Sequence, residues 1–367
     1  MADARLETLS RILVDYSLDV QPGQLVTIGG SPLAAPLIRA VYRRVIERGG
    51  NPLLQISLPG ISEIYYGLAN DDQLNYIRPD EHIMPELADA ALSILSDANT
   101  KALSGVDPSR QRLARLARAD LTQTYLERSA AGALKWCVTL FPTEAFAQDA
   151  EMSLYDYEEF VYGAGLLDAT DPVEEWQTVS REQARLVDWL SDKRSVHVTA
   201  PGTDLRLEIA GRTFMNADGR YNFPDGEIFT GPIENSVNGH VRFTFPCNVG
   251  GREVEDVQLW FEQGKVVKAT AEKNEEYLLR TLDTDEGARY LGEFAFGTNR
   301  GITKFTSNIL FDEKIGGTMH LALGSSYPET GGVNHSAIHW DMICDLRQQS
   351  EVHVDGQLFM KDGVFQV

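Results

Sequence analysis

In the stretch AIHWDMI, Ala337–Ile343, an imidazole and a carboxylate stand two residues apart: His339 and Asp341. The run is apolar and β-prone. Alternation along a strand puts Ala337, His339, Asp341 and Ile343 on one face and Ile338, Trp340 and Met342 on the other. Such a pair is either a hydrogen bond inside a core or two ligands of one metal ion, because neutral imidazole and carboxylate both bind Zn, Co, Mn or Fe. GGTMHLALG, Gly316–Gly324, carries a related pattern. Met319, Leu321 and Leu323 face one way, while His320 and the small Ala322 face the other and leave space for a ligand. Glu293 stands in ARYLGEFAFG, among apolar residues where an unpartnered carboxylate is costly. Glu227 closes the turn FPDGE and enters the strand IFTG, at the edge of a cavity. Each residue alone has an ordinary structural reading. Glu227, Glu293, His320, His339 and Asp341 together, in one strand-rich region, point to a metal site.

The elements that must position these groups fall into two halves. The first alternates strand and helix: an opening amphipathic helix, strands at QLVTIGG, NPLLQISL, ADAALSIL and KWCVTLFP, and a helix ending at Gly49. This order predicts an α/β domain over residues 1–193 with a mostly parallel sheet covered by helices. Helices over Ser153–Leu167 and Val173–Asp192 close it, and Arg194 marks the boundary. From 194 to 367 the pattern is one of hairpins. VHVTAPGTDLRLEI, VEDVQLWFEQGKVVKATAEK with a QG turn and EVHVDGQLFMKDGVF with a DG turn surround one helix, Asn274–Asp283. The second domain is therefore α+β, rich in antiparallel strands, and carries the metal site. TIGGSP lies where a dinucleotide loop would, but it lacks the GxGxxG spacing and reads as backbone geometry.

Composition narrows the function. The net charge is −21, which excludes a phosphate-binding nucleic-acid surface. No apolar run reaches the roughly 18 to 20 residues of a membrane span, and the N-terminus lacks the pattern of a signal peptide, so a cytoplasmic protein is expected. Cys137, Cys247 and Cys344 lie far apart and form neither a disulfide framework nor a thiolate zinc motif. Any metal is held by oxygen and nitrogen. Among the other histidines, His82, His197, His240 and His353 have polar or strand-surface settings, and His335 lies in the loop GGVNHS.

FPDGEIFTGP, YLGEFAFG, FDEKIGG, HLALGSSYPETGG and AIHWDMI, taken in order, resemble the aminopeptidase T family of metallo-aminopeptidases. The resemblance is strong over the second half and extends to the first in general layout. It implies two divalent ions (Zn, Co, Mn or Mg) bound by Glu227, Glu293, His320, His339 and Asp341, with Glu313 of FDEK at a further acidic position. It also implies that Tyr327 is a catalytic hydroxyl and that the chain forms a homodimer around an internal cavity. The expected activity is hydrolysis of N-terminal residues from short peptides with a free N-terminus, by water held between two metals. A different reading is a mononuclear Fe(II) ring-cleaving dioxygenase on the same fold, using His320, His339 and Asp341, and a third is an inactive metal-binding relative. Glu227 and Glu293, which a single iron does not require, favour the peptidase.

Overall fold

The computed structural model describes residues 3–249 and 252–367. It divides into two compact units, one of residues 1–173 with 219–224 and the other of residues 174–218 with 225–367. Relative to a division at Arg194, the second unit takes in most of the preceding helix, Pro172–Leu190, and the first takes in residues 219–224.

In the first unit four strands of six residues and one of two pair in parallel in the order Asn51–Ile56, Leu25–Gly30, Ala90–Leu95, Lys135–Leu140, Asn222–Phe223. Val26, Ile28, Leu92 and Ile94 are buried in it. The opening helix, Ala4–Arg11, is capped by the Asp3 carboxylate, which accepts from Arg5 N at 2.9 Å. Helix Ala35–Glu47 buries Leu37, Ile38, Ala40, Val41 and Val45, the spacing of one helical face. The parallel sheet and its helices are those the sequence predicts. The connecting helices Ile61–Leu68, Asp71–Asn75, Pro108–Ala117 and Ala119–Ala130 were not expected. Ala119–Ala130 buries no residue, so its sequence has little one-sided apolar signal.

The second unit holds two main antiparallel sheets. One has eight strands, in the order Lys265–Thr270, Val257–Glu262, Asn238–Phe243, Thr203–Glu208, Ser195–Ala200, Glu351–Val354, Gln357–Lys361, Val364–Phe365. Its tight turns are those the sequence predicts: Gln263-Gly264 and Asp355-Gly356 both have positive φ at each residue, as a two-residue hairpin loop requires. The other sheet has five strands, in the order His339–Asp345, Thr318–Gly324, Leu291–Gly297, Glu227–Thr230, Met215–Ala217. One continuous core joins the sheets. Phe294, Phe296, Met319, Leu321, Leu323, Trp340 and Met342 from the five-stranded sheet meet Val196, Val198, Leu205 and Leu259 from the other, with Leu186 and Leu190 of helix Pro172–Leu190. Burying each large side chain is worth about 1.5–3 kcal/mol, so this face fixes the sheet and leaves the opposite face for chemistry. Among the described residues, no helix is long and apolar enough to cross a membrane.

Candidate metal centre

Strand register assembles the centre. Ala322 pairs with both Glu293 and Asp341, His320 pairs with Ala295 and Ile343, and Glu227 pairs with Gly297. The ionisable side chains therefore project from one face of the five-stranded sheet, with the small residues Ala322, Ala295 and Gly297 between them. Gly297 is required by close approach: a Cβ there would lie 2.2 Å from the Ile315 carbonyl oxygen. Residues 313–317 thus lie against the end of that strand and bring Glu313 and Lys314 to the cluster. Glu313 follows a short helix, Ile309–Asp312, whose first turn is capped by Asn308.

All the sequence-predicted metal ligands come together. Ligand atoms of Glu227, Glu293 and His320, of Glu293, His339 and Asp341, and of Glu313, His320 and Asp341 each lie within 4.8 Å of one another, and the three groups overlap into one cluster. His320 Nε2 is 3.4 Å from both Glu227 Oε2 and Glu293 Oε1. His339 Nε2 is 3.2 Å from Glu293 Oε2 and 3.5 Å from Asp341 Oδ1. The far side of each ring is anchored, with His320 Nδ1 donating to Glu313 O at 3.0 Å and His339 Nδ1 to Ser325 O at 2.9 Å. Those bonds place the neutral-ring proton on Nδ1 and turn the Nε2 lone pair toward the carboxylates. An unprotonated Nε2 is repelled by carboxylate oxygens, so each ring calls for either a proton or a metal cation between it and them. Glu227 Oε2 and Asp341 Oδ1 are buried and make no hydrogen bond. The donor set and these orphaned atoms fit divalent metal.

The electrostatics show the same demand for positive charge. Burial alone would push the imidazoles down, but Glu293, Glu227 and Glu313 raise His320 to about 10, and Asp341 and Glu293 raise His339 to about 11. Burial pushes Glu293 up, yet hydrogen bonds from both imidazoles outweigh it and hold the carboxyl at about 2. Glu227 goes the other way, raised by burial and by Glu313 despite Lys314 and His320.

Tyr327 is partly exposed, and its ring meets the His339 ring edge-on at 5.1 Å and Phe229 at 5.4 Å. Its loop also supplies the Ser325 carbonyl that orients His339. Desolvation and the neighbouring carboxylates raise the phenol, so it stays protonated and able to donate. The remaining histidines lie elsewhere: His82 pairs with Glu86, His197 with Asp204 and His353 with Glu351, His240 stacks on Trp260, and His335 is exposed.

Two residues of the site, Lys314 and Gln183, were not anticipated. Lys314 is fully buried, with Nζ 3.6 Å from Glu227 Oε1 and 4.0 Å from Asp225 Oδ1, and it is also paired with Glu313. Its neighbours Asp225 and Glu313 lie in FPDGE and FDEK, so the acids were visible but the lysine between them was not. Gln183, on helix Pro172–Leu190, donates to Asn216 Oδ1 at 2.5 Å, Ala217 O at 3.0 Å and Glu227 O at 3.2 Å, and accepts from Thr298 at 2.6 Å. It ties the backbone of Glu227 to neighbouring strands.

Comparison with known proteins gives one consistent picture. The model of the thermophilic metalloprotease family M29 matches residues 2–365. Aminopeptidase 2 of Geobacillus stearothermophilus is 30% identical, with 98% of this chain and 95% of the relative covered. Among solved structures, wild-type AmpT from Thermus thermophilus superimposes with a TM-score of 0.86 at 26% identity, covering 99% of each chain. A 2,5-dihydroxypyridine dioxygenase from Pseudomonas putida matches with a TM-score of 0.57 at 14% identity over 100% of this chain and 98% of that one, a likeness of fold alone.

Proposed function

Because the chain belongs to the M29 family of thermophilic metalloproteases, we propose that it removes single residues from the free N-termini of short peptides, using two divalent ions held by Glu227, Glu293, Glu313, His320, His339 and Asp341. The observation that carries this reading is the pair of imidazoles anchored through Nδ1, with both Nε2 atoms turned into one nest of carboxylates. Charge supports two ions rather than one. Asp225, Glu227, Glu293, Glu313 and Asp341 bring five negative charges and Lys314 one positive, and the balance of four equals that of two divalent cations beside neutral imidazoles. Zn, Co, Mn and Mg all suit this oxygen and nitrogen set.

When bound, the ions lower the pKa of water and polarise the scissile carbonyl. The chain's own groups do the rest. Of the two carboxylates able to take a proton from the attacking water, Glu227 is the better base. Burial raises its proton affinity and its Oε2 accepts no hydrogen bond, facing His320 Nε2 at 3.4 Å, whereas two imidazoles hold Glu293 in its ionised form. Glu227 then passes the proton to the leaving amine. The protonated Tyr327 hydroxyl donates to the oxyanion of the tetrahedral intermediate. Lys314 engages Glu227 Oε1 and leaves Oε2 facing His320. The acidic surroundings favour a substrate's terminal amine, which makes the activity an exopeptidase one. We take the working form to be a cytoplasmic homodimer. A single iron requires neither Glu227 nor Glu293, which disfavours the dioxygenase reading.

Chromogenic aminoacyl amides, free and N-acetylated, test the proposal with and without chelator. Hydrolysis of the free amides alone, abolished by chelation and restored by metal, is expected. Equal rates on blocked and free substrates would overturn the exopeptidase assignment.

A further inference from the structure

Tyr327 stands in the turn between strands Thr318–Gly324 and His339–Asp345, and 42% of it is exposed. Phe229 and His339 cover only part of its ring, so the place of its hydroxyl depends on how the main chain at Tyr327 is held. Thr330 grips that main chain. Its hydroxyl donates to Tyr327 O at 2.7 Å, and its N–H donates to the same oxygen at 3.1 Å. The hydroxyl oxygen also accepts from Gly332 N at 3.3 Å, so the side chain both donates and accepts within the turn.

Thr330 is itself buried and tied across the site. Its carbonyl accepts from Thr213 N at 3.0 Å, and Thr213 O accepts from Thr230 Oγ1 at 2.8 Å. Thr230 ends the strand Glu227–Thr230, in which Glu227 and Phe229 share one face. The approach on this side is close: a Cβ on Gly231 would lie 2.9 Å from Thr330 Oγ1. A second tie joins the same turn to neighbouring chain. Val333 N donates to Glu234 Oε1 at 2.8 Å, while Arg212, next to Thr213, donates to Glu234 Oε2 at 2.6 Å. Hydrogen bonds thus run without a break from the main chain of Tyr327 to the strand that carries Glu227.

We propose that Thr330 is a positioning residue for the reaction: through Thr213 and Thr230 it holds Tyr327 at a fixed place relative to Glu227. The inference rests on the aminopeptidase reading, in which Glu227 takes the proton and Tyr327 donates to the oxyanion, and it names the residue that keeps the two in register. A donor stabilises the transition state only when it is already aimed at the atom where charge develops. Loosening the turn therefore costs turnover rather than substrate binding.

Thr330→Val keeps the shape of the side chain and removes its hydroxyl. On metal-loaded protein with a free aminoacyl amide, it should lower kcat by about 10-fold with KM and metal content unchanged, and Thr330→Ser, which keeps the hydroxyl, should stay within about 2-fold of wild type. Thr230→Val cuts the chain of bonds at its far end, away from the turn, and should lower kcat by about 3-fold. The deciding measurement is a double-mutant cycle. In Tyr327→Phe the hydroxyl to be positioned is gone, so adding Thr330→Val should lower kcat no further. If Thr330→Val does not fold, Thr230→Val takes its place in the cycle. Losses that multiply in the double variant, a fall in metal content, or full turnover in Thr330→Val or in Tyr327→Phe would overturn the positioning role. Failure of fully reloaded wild type to hydrolyse any free amide would instead overturn the aminopeptidase reading, and the role of Thr330 with it.

Discussion

Glu293 illustrates how the centre works at the scale of one residue: it faces both imidazoles, and each imidazole is fixed from behind by a carbonyl. His339→Ala or Asp341→Ala should therefore reduce metal content, measured by elemental analysis. Tyr327→Phe should retain metal and fold but lower kcat by about 10²-fold, the usual cost of losing one oxyanion donor. Full turnover in Tyr327→Phe would return that ring to a packing role against His339 and Phe229. The raised imidazoles predict a pH dependence with a definite sign. In metal-free protein, His320 and His339 are protonated to about 10 and about 11, against 6.5 in the unfolded chain. Their stabilising contribution is full below pH 6.5, declines above it and is gone once pH passes those values. Metal must displace these protons, so binding at neutral pH should release protons and strengthen as pH rises. Calorimetry in buffers of different ionisation enthalpy checks this, and uptake without proton release would contradict it.

At the scale of elements, much of the centre was legible because strands alternate. TMHLALG and AIHWDMI each separate an apolar face from a ligand face, and the structure sends Met319, Leu321, Leu323, Trp340 and Met342 into the core on the other side. Hairpin turns at Gln263-Gly264 and Asp355-Gly356 were equally readable, since left-handed pairs of this kind have few alternatives. Lys314 was not legible. Its burial comes from the approach of Ile315 to Gly297, which is a long-range fact that FDEKIGG does not encode locally. Gln183 was hidden for the same reason: it lies on a helix far from Glu227 in sequence and touches its backbone only in the folded chain. The dependence of the site on its supporting core is measurable. Leu321→Ala, at a position 1% exposed, should cost about 2–5 kcal/mol in denaturant unfolding while leaving metal stoichiometry intact in the folded protein. Loss of metal with no loss of stability would contradict this division between the faces.

For the whole molecule, the net charge of −21 lies around a reaction whose substrates carry a terminal ammonium. Long-range attraction of this kind is screened by salt, so kcat/KM for cationic peptides should fall more steeply with ionic strength than for peptides of no net charge. In the proposed mechanism this acidic chain concentrates two divalent ions at one face of one sheet and works only when both are present. It is tested most directly by stripping the protein of metal, adding back measured equivalents and following peptide hydrolysis at each step. Two ions acting together require no turnover without metal and a rise that ends at two equivalents per chain. Turnover in verified metal-free protein, or full turnover reached at a single equivalent, would contradict it.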